Sequence, residues 1–377
     1  MVHGRADPGR DGVADYTTHL VEALRQAGAD VSAVAVDPGP LGTARAVRRV
    51  RALRPSLVHV QFAPSAFGFS PWVGTLPDVV GAPVVTTLHE YGWWSAPGWV
   101  PTAAWAALER RGWVDRETWR LGPRSAALVT TNAGHAATVE ARLGRASVTV
   151  PLAPNVPACD PGGRAAVRAR LGVPGDAEVV AFFGFVHPVK GLRYLIEAVA
   201  RLRARHERLH LLVLGGFTSL ALPADEARAF RAELAAWAVW CGVADHVTIT
   251  GHLAAPQVSQ ALHASDIAAF PFTAGATLKS GALLSGFAHR LPTLVTAADP
   301  PDPDLVDGET VVVAGRVRDS GAVADALGRL LDDPALRARI AVRGAALVAD
   351  RTWPRIAARH QEIYATTCRA RAEHVVG

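Results

Sequence analysis

The chain has 377 residues, of which half are hydrophobic and 19% are charged. This length and composition favour two globular domains with sizeable apolar cores, and they exclude collagen-like, low-complexity and disordered classes. No apolar run approaches the ~20 residues of a membrane-spanning helix, and residues 1–12 lack the apolar stretch of a signal peptide. The net charge of +5 comes from arginines spread along the chain, which indicates a solvated surface rather than a nucleic-acid-binding patch.

Cysteine and lysine are both scarce. Cys159, Cys241 and Cys368 lie far apart and form no CxxC or Cys/His cluster. This spacing argues against a disulfide scaffold or a structural zinc site and favours a reducing, cytoplasmic location. Only Lys190 and Lys279 among the 39 basic residues are lysines. Because an ammonium on a flexible stem binds phosphate as a compact charge, both are candidate phosphate ligands.

Apolar strands alternate with amphipathic helices along most of the chain. The first half is predicted to contain a helix at 16–27 and strands at 57–62, 83–88 and 126–131. In the second half the predicted strands are 179–186, 209–214, 247–250, 266–270 and 293–295. The predicted helices of that half are 192–202, 280–288, 320–332, 334–350 and 354–372. Continuous apolar strands separated by helices are typical of parallel sheets that are covered on both faces.

Prolines and glycines crowd together over 151–175, which indicates a junction between two αβα domains. We therefore expect an N-terminal domain at 1–158 and a C-terminal domain at 175–350. Two such domains would leave a cleft, and open α/β sheets bind ligands at the carboxyl ends of their strands. Residues 1–8 do not supply the buried strand with which a doubly wound domain usually opens, so either the fold lacks it or the chain starts late.

The strongest local signal is the segment FFGFVHPVKGL at 182–192. A strand, Gly184, a short loop and Lys190 stand immediately before a helix. Free N–H groups, the positive end of the helix dipole and an ammonium together form an anion site. An ordinary βα loop with a solvated lysine is the alternative interpretation.

A second signal follows the strand predicted at 266–270. Small residues over 271–281 let backbone amides approach a diphosphate closely, and Ser280 either caps the next helix or donates to a ligand. A glycine-rich turn with Ser280 as a plain N-cap is the alternative. Neither segment matches GxGxxG or GxxxxGK[ST], so a nicotinamide dehydrogenase or a P-loop enzyme is a weak interpretation.

These two segments, in this order and about 90 residues apart, resemble the donor-binding half of glycosyltransferase family 4. The family pattern G-x-x-x-x-x-K-G-x-x-x-x-(I/L)-x-A is matched by Gly184, Lys190, Gly191, Ile196 and Ala198. Shorter matches follow the family's order at 12–16, 87–90, 290–296, 307–310 and 352–357. The resemblance covers residues 9–370 or so.

The resemblance implies the GT-B fold, in which two Rossmann-like αβα domains face each other across a cleft. It also implies that the helix at about 354–377 packs back on the N-terminal domain. The implied activity moves a sugar from a nucleotide diphosphate-sugar to a hydroxyl of a small-molecule or glycan acceptor, with retention of anomeric configuration. A sugar, a cyclitol or another hydroxylated compound is the expected acceptor, and no cofactor is expected beyond the donor. A catalytically inactive GT-B protein that binds nucleotide sugars or acts as a scaffold is the alternative.

No Asp-x-Asp motif is clearly built for a metal. Asp302-Pro303-Asp304 has that spacing, but it lies in a proline-rich loop, so we interpret it as a turn and expect metal-independent transfer. The resemblance assigns His89 and Lys190 as catalytic residues, with His89 at the donor sugar and Lys190 at the diphosphate. The alternative for His89 is a structural histidine at a strand end, with its hydrogen bonds satisfied within the protein.

The resemblance also assigns the donor-binding residues. They are Gly12, in a loop that closes over the pyrophosphate, and Gly184, Lys190, Thr277, Leu278, Lys279, Ser280, Gly281 and Ser285. For Gly12 a simple turn is the alternative. The family's two glutamates, eight positions apart, fall on Thr277 and Ser285. Phe185 stands where an arginine is usual, and Lys279 is placed to restore that charge. These departures bear on donor identity and sugar orientation more than on the fold.

Tryptophan is concentrated in one segment, with seven of the ten residues between 72 and 119. They follow the strand that ends near His89, on the face where the N-terminal domain would bind acceptor. Flat rings stack on the apolar faces of sugars and cyclitols, while hydroxyl groups need polar partners. The predicted acceptor-binding residues are Glu90, Trp93, Trp94 and Trp99, with Glu109 and Asp115 as further polar partners or as attractors of a cationic acceptor. Core packing or a subunit contact is the alternative.

Overall fold

A computed structural model of the chain describes residues 1–4, 11–217 and 224–376. Its contacts divide the chain into two compact units, Met1–Leu152 with Arg351–Gly377 and Ala153–Asp350. Each unit contains a six-stranded sheet in which every pair of neighbouring strands is parallel. The predicted α/β architecture is confirmed. None of the described helices is long and apolar enough to cross a membrane.

The sheet of the first unit has the strand order β2-β1-β3-β4-β5-β6. Its strands are β1 (Val2–His3), β2 (Val34–Ala35), β3 (Val58–Phe62), β4 (Val84–Leu88), β5 (Ala127–Thr130) and β6 (Val148–Thr149). Its helices are α1 (Gly12–Gln26), α2 (Pro40–Leu53), α3 (Leu76–Val79), α4 (Thr102–Arg110), α5 (Leu121–Arg124), α6 (Ala133–Leu143) and α14 (Trp353–Val376). All residues of β3 and β4 are buried, as expected for parallel strands covered on both faces.

The opening strand that sequence analysis did not find is present as β1. It pairs with β2 on one side and with β3 on the other, and Val2 is 1% exposed. Two residues are too few to produce a periodic pattern, so this strand is defined by its pairing alone. The C-terminal helix α14 belongs to the same unit, where the Trp353 ring packs 5.1 Å from the Tyr16 ring of α1.

The sheet of the second unit has the strand order β12-β11-β10-β7-β8-β9. Its strands are β7 (Glu178–Phe183), β8 (Leu209–Leu214), β9 (Val247–Gly251), β10 (Ile267–Phe270), β11 (Thr293–Thr296) and β12 (Val312–Ala314). Its helices are α7 (Arg164–Leu171), α8 (Leu192–Leu202), α9 (Ala224–Trp240), α10 (Ala255–His263), α11 (Gly281–Ala288), α12 (Ser320–Asp332) and α13 (Pro334–Ala346). Helix α8 buries Leu192, Leu195, Ile196, Val199 and Leu202, the apolar face that the sequence predicted.

The strand predicted at 179–186 ends earlier, at Phe183. Gly184 has φ 135°, a backbone conformation that β-strands do not use and that side-chain-bearing residues rarely adopt. Its N–H still bonds to the carbonyl of Leu214 at the end of β8, at 3.0 Å. The chain therefore leaves the ladder at Gly184, and the segment up to Gly191 forms a loop at the carboxyl edge of the sheet.

Candidate functional site

Two loops at the carboxyl edge of the second sheet are in direct contact. One follows β7 and ends at Gly191, and the other follows β10 and begins at Pro271. A Cβ atom on Gly191 would overlap the carbonyl oxygen of Pro271 and lie 2.9 Å from its carbonyl carbon. The backbone N–H of Thr273 donates to the carbonyl of Val189 at 2.9 Å. The two motifs that sequence analysis singled out, about 90 residues apart in the chain, thus build one surface.

The residues that follow β8 and β11 and the start of α11 pack against these loops. A Cβ on Gly215, after β8, would overlap the carbonyl of Gly184, and a Cβ on Gly184 would lie 3.4 Å from the Cβ of Ala282 in α11. Gly275 packs equally closely on Ala298, after β11. Glycine is needed at 215 and 275 because no side chain fits between the backbones there, and at 184 because of its positive φ. The surface is thus an edge of tightly packed main chain beside a helix N-terminus.

Lys190 lies at this edge in a half-buried position. Its Nζ atom is 4.1 Å from the centroid of the Phe272 ring, which comes from the loop after β10. No carboxylate of the described residues forms an ion pair with it, and burial lowers the pKa of its ammonium. A cation that has lost water without gaining an acidic neighbour is stabilised by any anion that binds beside it.

The turn before α11 holds the other predicted donor-binding residues. Ser280 is the N-cap of α11, and its hydroxyl accepts the Leu283 N–H at 3.3 Å. The Leu278 amide is occupied, because it donates to Asp302 Oδ2 at 2.8 Å. Lys279 is exposed, and its N–H lies 3.4 Å from Thr277 Oγ1. Sequence analysis interpreted residues 302–304 as a turn, which the structure has, but it did not anticipate that Asp302 reaches the turn before α11.

Ser285, one of the two positions where the family has glutamate, is fully buried. Its hydroxyl donates to the carbonyl of Gly281 at 2.8 Å and accepts the N–H of Val156 at 3.0 Å. Asn155, which sequence analysis missed, lies against the same turn and donates its N–H to the Gly281 carbonyl at 3.2 Å. Ser285 therefore has the contacts of a structural residue that ties 155–156 to α11, and its role in donor binding stays a prediction.

His89 follows β4 in the first unit, and its ring is held from two sides. Its Nε2 is 2.8 Å from Gln61 Oε1, and the ring edge packs against Tyr16 with centroids 4.7 Å apart. Burial, together with the nearby rings of His135 and His360, lowers the pKa of His89 to about 3. The imidazole is therefore neutral over the physiological range.

The Gln61 side chain links His89 to further polar side chains inside the sheet. Its Nε2 lies 3.2 Å from His59 Nε2, and His59 Nδ1 in turn lies 2.6 Å from the Tyr364 hydroxyl of α14. Sequence analysis missed these residues, although polar side chains at 59 and 61 inside an otherwise apolar strand were a visible signal. They fix the ring of His89 from within the core, since a buried polar group is stable only when hydrogen-bonded.

The predicted acceptor-binding residues lie on the loop that follows His89. Trp93 is 58% exposed, Trp94 is half-buried, and both rings contact Phe69, at centroid distances of 6.0 and 5.5 Å. Glu90 accepts a hydrogen bond from Ser65 at 3.4 Å. Trp99 is 83% exposed. The structure thus joins Trp93 and Trp94 in one aromatic surface with Phe69, a residue that sequence analysis had not included.

Two further predictions for the acceptor face are wrong. Glu109 is 2% exposed and forms a two-pronged ion pair with Arg116, at 2.8 and 2.7 Å. Asp115 is fully buried and accepts hydrogen bonds from the hydroxyls of Tyr91 and Thr118. Neither carboxylate is available to a ligand, because both are saturated by groups of the protein.

Two remaining expectations concern Gly12 and metal ions. Gly12 is the first residue of α1, and a Cβ there would meet nothing within 4 Å, so its place in a donor-covering loop stays a prediction. In the described ranges no group of three or more His, Cys, Asp or Glu side chains is placed to hold a metal ion.

Residues 177–333 match the family model for group 1 glycosyl transferases. The chain is 34% identical to a D-inositol 3-phosphate glycosyltransferase of Stackebrandtia nassauensis over 204 residues, 51% of this chain and 42% of that protein. It is 30% identical to the enzyme of that name from Segniliparus rotundus over 279 residues, 73% of this chain and 56% of the relative. The chain spans about half the length of the curated relatives it matches.

Solved structures with the same fold cover nearly the whole chain. Anabaena Alr3699/HepE in complex with UDP and glucose aligns over 97% of this chain and 98% of its own, with a TM-score of 0.70 and 17% identity. The sucrose-phosphate synthase of Thermosynechococcus elongatus aligns over 98% of both chains, with a TM-score of 0.72 and 19% identity. The family match covers the unit that carries Lys190 and α11, and the solved structures share the GT-B fold, so the resemblance to glycosyltransferase family 4 that the sequence predicted is confirmed.

Proposed function

We propose that the protein transfers a glycosyl group from a nucleoside diphosphate sugar to a hydroxyl group of an acceptor. The observation that carries this proposal is the contact between the loop ending at Gly191 and the loop beginning at Pro271, with Lys190 half-buried at their junction. The D-inositol 3-phosphate glycosyltransferases to which the chain is similar support the same class of reaction.

The donor diphosphate binds at the carboxyl edge of the second sheet. When the bond between the sugar and the diphosphate breaks, the electron pair stays on the leaving phosphate oxygen and negative charge grows there. Once the donor is bound, the Lys190 ammonium and the N-terminal end of α11 stabilise this charge from fixed positions, which is catalysis by preorganised electrostatics. Burial makes the charged form of Lys190 less stable in the free protein, and an anion that binds beside it stabilises that form again.

Asp302 competes for part of this site. Its carboxylate accepts the Leu278 N–H at 2.8 Å, so a diphosphate that uses this amide must displace it. Two anions are not stable side by side on one amide, and the loop carrying Asp302 therefore moves aside when the donor binds. Lys279 follows Leu278 directly and adds a second positive charge to the turn.

His89 acts as a neutral imidazole. With Nε2 bonded to the carbonyl oxygen of the Gln61 side chain, its Nε2 carries the proton and its Nδ1 keeps a lone pair. A ring in this state accepts a hydrogen bond from a sugar hydroxyl. It carries no positive charge at neutral pH, because burial keeps its pKa far below that value.

The acceptor binds at the aromatic surface of Trp93, Trp94 and Phe69, where rings stack on the apolar face of a sugar or cyclitol. We further propose retention of configuration, transfer without a metal ion and a reducing, cytoplasmic location. The three cysteines, Cys159, Cys241 and Cys368, are free thiols, which is consistent with that location. Undiminished turnover in EDTA and an unchanged anomeric configuration in the product by NMR test the first two points.

The experiment that tests the function starts from donor binding. Thermal unfolding is followed with UDP, GDP, ADP and TDP sugars, since a ligand that binds the folded protein raises its melting temperature by mass action. The donor that raises it is then assayed for transfer to myo-inositol, D-inositol 3-phosphate and glucose. Selective stabilisation with turnover supports the proposal. Tight donor binding with neither transfer nor donor hydrolysis refutes it and favours an inactive nucleotide-sugar-binding protein.

A further inference from the structure

The loop that carries Trp93 and Trp94 rests on a tight turn at residues 115–119. Three hydrogen bonds connect the two segments: the Ala96 N–H to the Arg116 carbonyl at 2.5 Å, and two from the start of the loop to carboxylates. Tyr91 donates its hydroxyl to Asp115 Oδ1 at 2.9 Å, and Gly92 donates its N–H to Glu117 Oε2 at 2.7 Å. The aromatic loop, residues 91–96, is thus held mainly by two buried acids.

The charges around this turn do not balance. Three carboxylates, Glu109, Asp115 and Glu117, are each at most 2% exposed. Among the residues that the structure describes, two arginines face them. Arg116 is taken by Glu109, and Arg142 from α6 lies 3.7 Å from Asp115 and 3.2 Å from Glu117 while its guanidinium covers the Tyr91 ring. One negative charge is therefore left without a cation of its own in a buried site, which is costly unless a proton neutralises it.

Glu117 is the acid that takes this proton. Burial raises the pKa of Asp115 as well. Its Oδ2, however, accepts hydrogen bonds from the N–H and the hydroxyl of Thr118, at 2.8 and 2.6 Å, and its Oδ1 accepts the Tyr91 hydroxyl, so the donors around Asp115 favour its ionised form. Glu117 Oε1, by contrast, is buried and has no partner among the described residues. Burial first, and then the neighbouring Asp115, raise the pKa of Glu117 to about 7.

We propose that Glu117 is a positioning residue that holds the aromatic loop through the Gly92 N–H, and that its protonation loosens this loop and weakens acceptor binding. The link to acceptor binding rests on the proposed function. A carboxylate accepts hydrogen bonds about twice as strongly as a neutral carboxyl group, and the ionised form also retains Arg142. The loop is therefore best held above neutral pH and released as the pH falls.

Hydrogen–deuterium exchange of the peptide containing residues 90–97 tests the positioning role without any ligand. In the wild-type protein, we expect protection, corrected for intrinsic exchange, to rise about tenfold from pH 6 to pH 8, the size of effect for one hydrogen bond to a charged group. In Glu117→Gln, which keeps a side-chain oxygen for Gly92 but cannot ionise, protection stays at the low-pH level throughout. Glu140→Gln makes the same change at an exposed position of α6 and follows the wild type.

The kinetic readout uses the acceptor among myo-inositol, D-inositol 3-phosphate and glucose that supports turnover. In the wild type, the KM of this acceptor falls about tenfold from pH 6 to pH 8, because acceptor binding depends on the same hydrogen bond that the exchange experiment measures. In Glu117→Gln, this KM does not change with pH. The KM of the donor is the same in both. An unchanged pH dependence of exchange in Glu117→Gln overturns the proposal, as does a pH-dependent acceptor KM in that variant. If exchange follows Glu117 while no donor is transferred, positioning stands and the proposed function fails.

Discussion

The contact between Gly191 and Pro271 joins the loop after β7 and the loop after β10 into a single surface. Alanine substitutions at two glycines measure the energetic contribution of this contact. Gly191 has φ 74° and its added Cβ would overlap the Pro271 carbonyl, whereas Gly172, after α7, has φ 69° and open space around its Cβ. Gly191→Ala and Gly172→Ala therefore introduce nearly the same backbone strain, but only the first introduces a collision.

The expected magnitudes follow from these two contributions. Placing alanine in the left-handed region costs about 1 kcal/mol at either site. The collision adds about 1–3 kcal/mol, the range for overpacking, because a rigid backbone carbonyl rather than a flexible side chain must move. Gly191→Ala is thus less stable than Gly172→Ala by about 2 kcal/mol, which is a difference of about 4–8 °C in Tm for a unit of this size.

Differential scanning calorimetry of both variants, with and without the donor found by thermal shift, measures this difference. Gly191→Ala also loses donor affinity, because relief of the collision displaces the loop that carries Lys190, while Gly172→Ala binds donor normally. Equal Tm values for the two variants, or normal donor binding by Gly191→Ala, would refute the close approach of the two loops and the donor site built on it.

Three further outcomes follow from individual side chains. Lys190→Ala lowers kcat/KM by about 100-fold, equivalent to about 3 kcal/mol of transition-state stabilisation, with Lys190→Arg recovering part of it; near-normal transfer by Lys190→Ala removes this residue from the reaction. Ser285→Ala destabilises the protein in urea by about 1–2 kcal/mol, since the buried Val156 N–H loses its acceptor, and an unchanged urea midpoint would show that this N–H finds another. The pKa of Glu117 is raised by burial in the folded protein from 4.5 to about 7, so, relative to the unfolded chain, the stability that this group contributes is present below pH 4.5 and is lost as the pH rises through 7. This global effect of burial is separate from the local hydrogen bond to Gly92, which favours the ionised form. The full loss is about 3 kcal/mol, and Glu117→Gln lacks it; equal pH slopes in urea unfolding would contradict the shift.

Much of the fold follows from local patterns. Every strand predicted from a largely apolar run is present, among them β3, β4 and β8, because short segments rich in valine and leucine bury well in a covered parallel sheet. The loop between Gly184 and Lys190 was also predictable, since the glycine, the lysine and the helix that follows are neighbours in the chain. Strands of two or three residues, such as β1 and β12, escaped detection because they carry no periodicity of their own.

The surroundings of individual side chains were less predictable. Glu109 and Asp115 read as surface acids in the sequence, yet they are saturated by Arg116, Tyr91 and Thr118 inside the unit. Phe69 carries no motif, but it connects the rings of Trp93 and Trp94. The type of an acidic or aromatic residue does not predict which side chains pack against it in the folded protein.

By itself, then, the sequence determined the alternation of strands and helices, the two α/β units and the presence of a scarce lysine before a helix. Only the tertiary structure decided that Gly191 meets Pro271, that Ser285 is buried against Val156, and that Glu117 holds the aromatic loop. The physical reason is one of range. Secondary structure and helix-end electrostatics arise from residues within a few positions of each other, whereas burial, pKa and hydrogen-bond partners are set by segments that lie far apart in the chain and meet only in the folded protein.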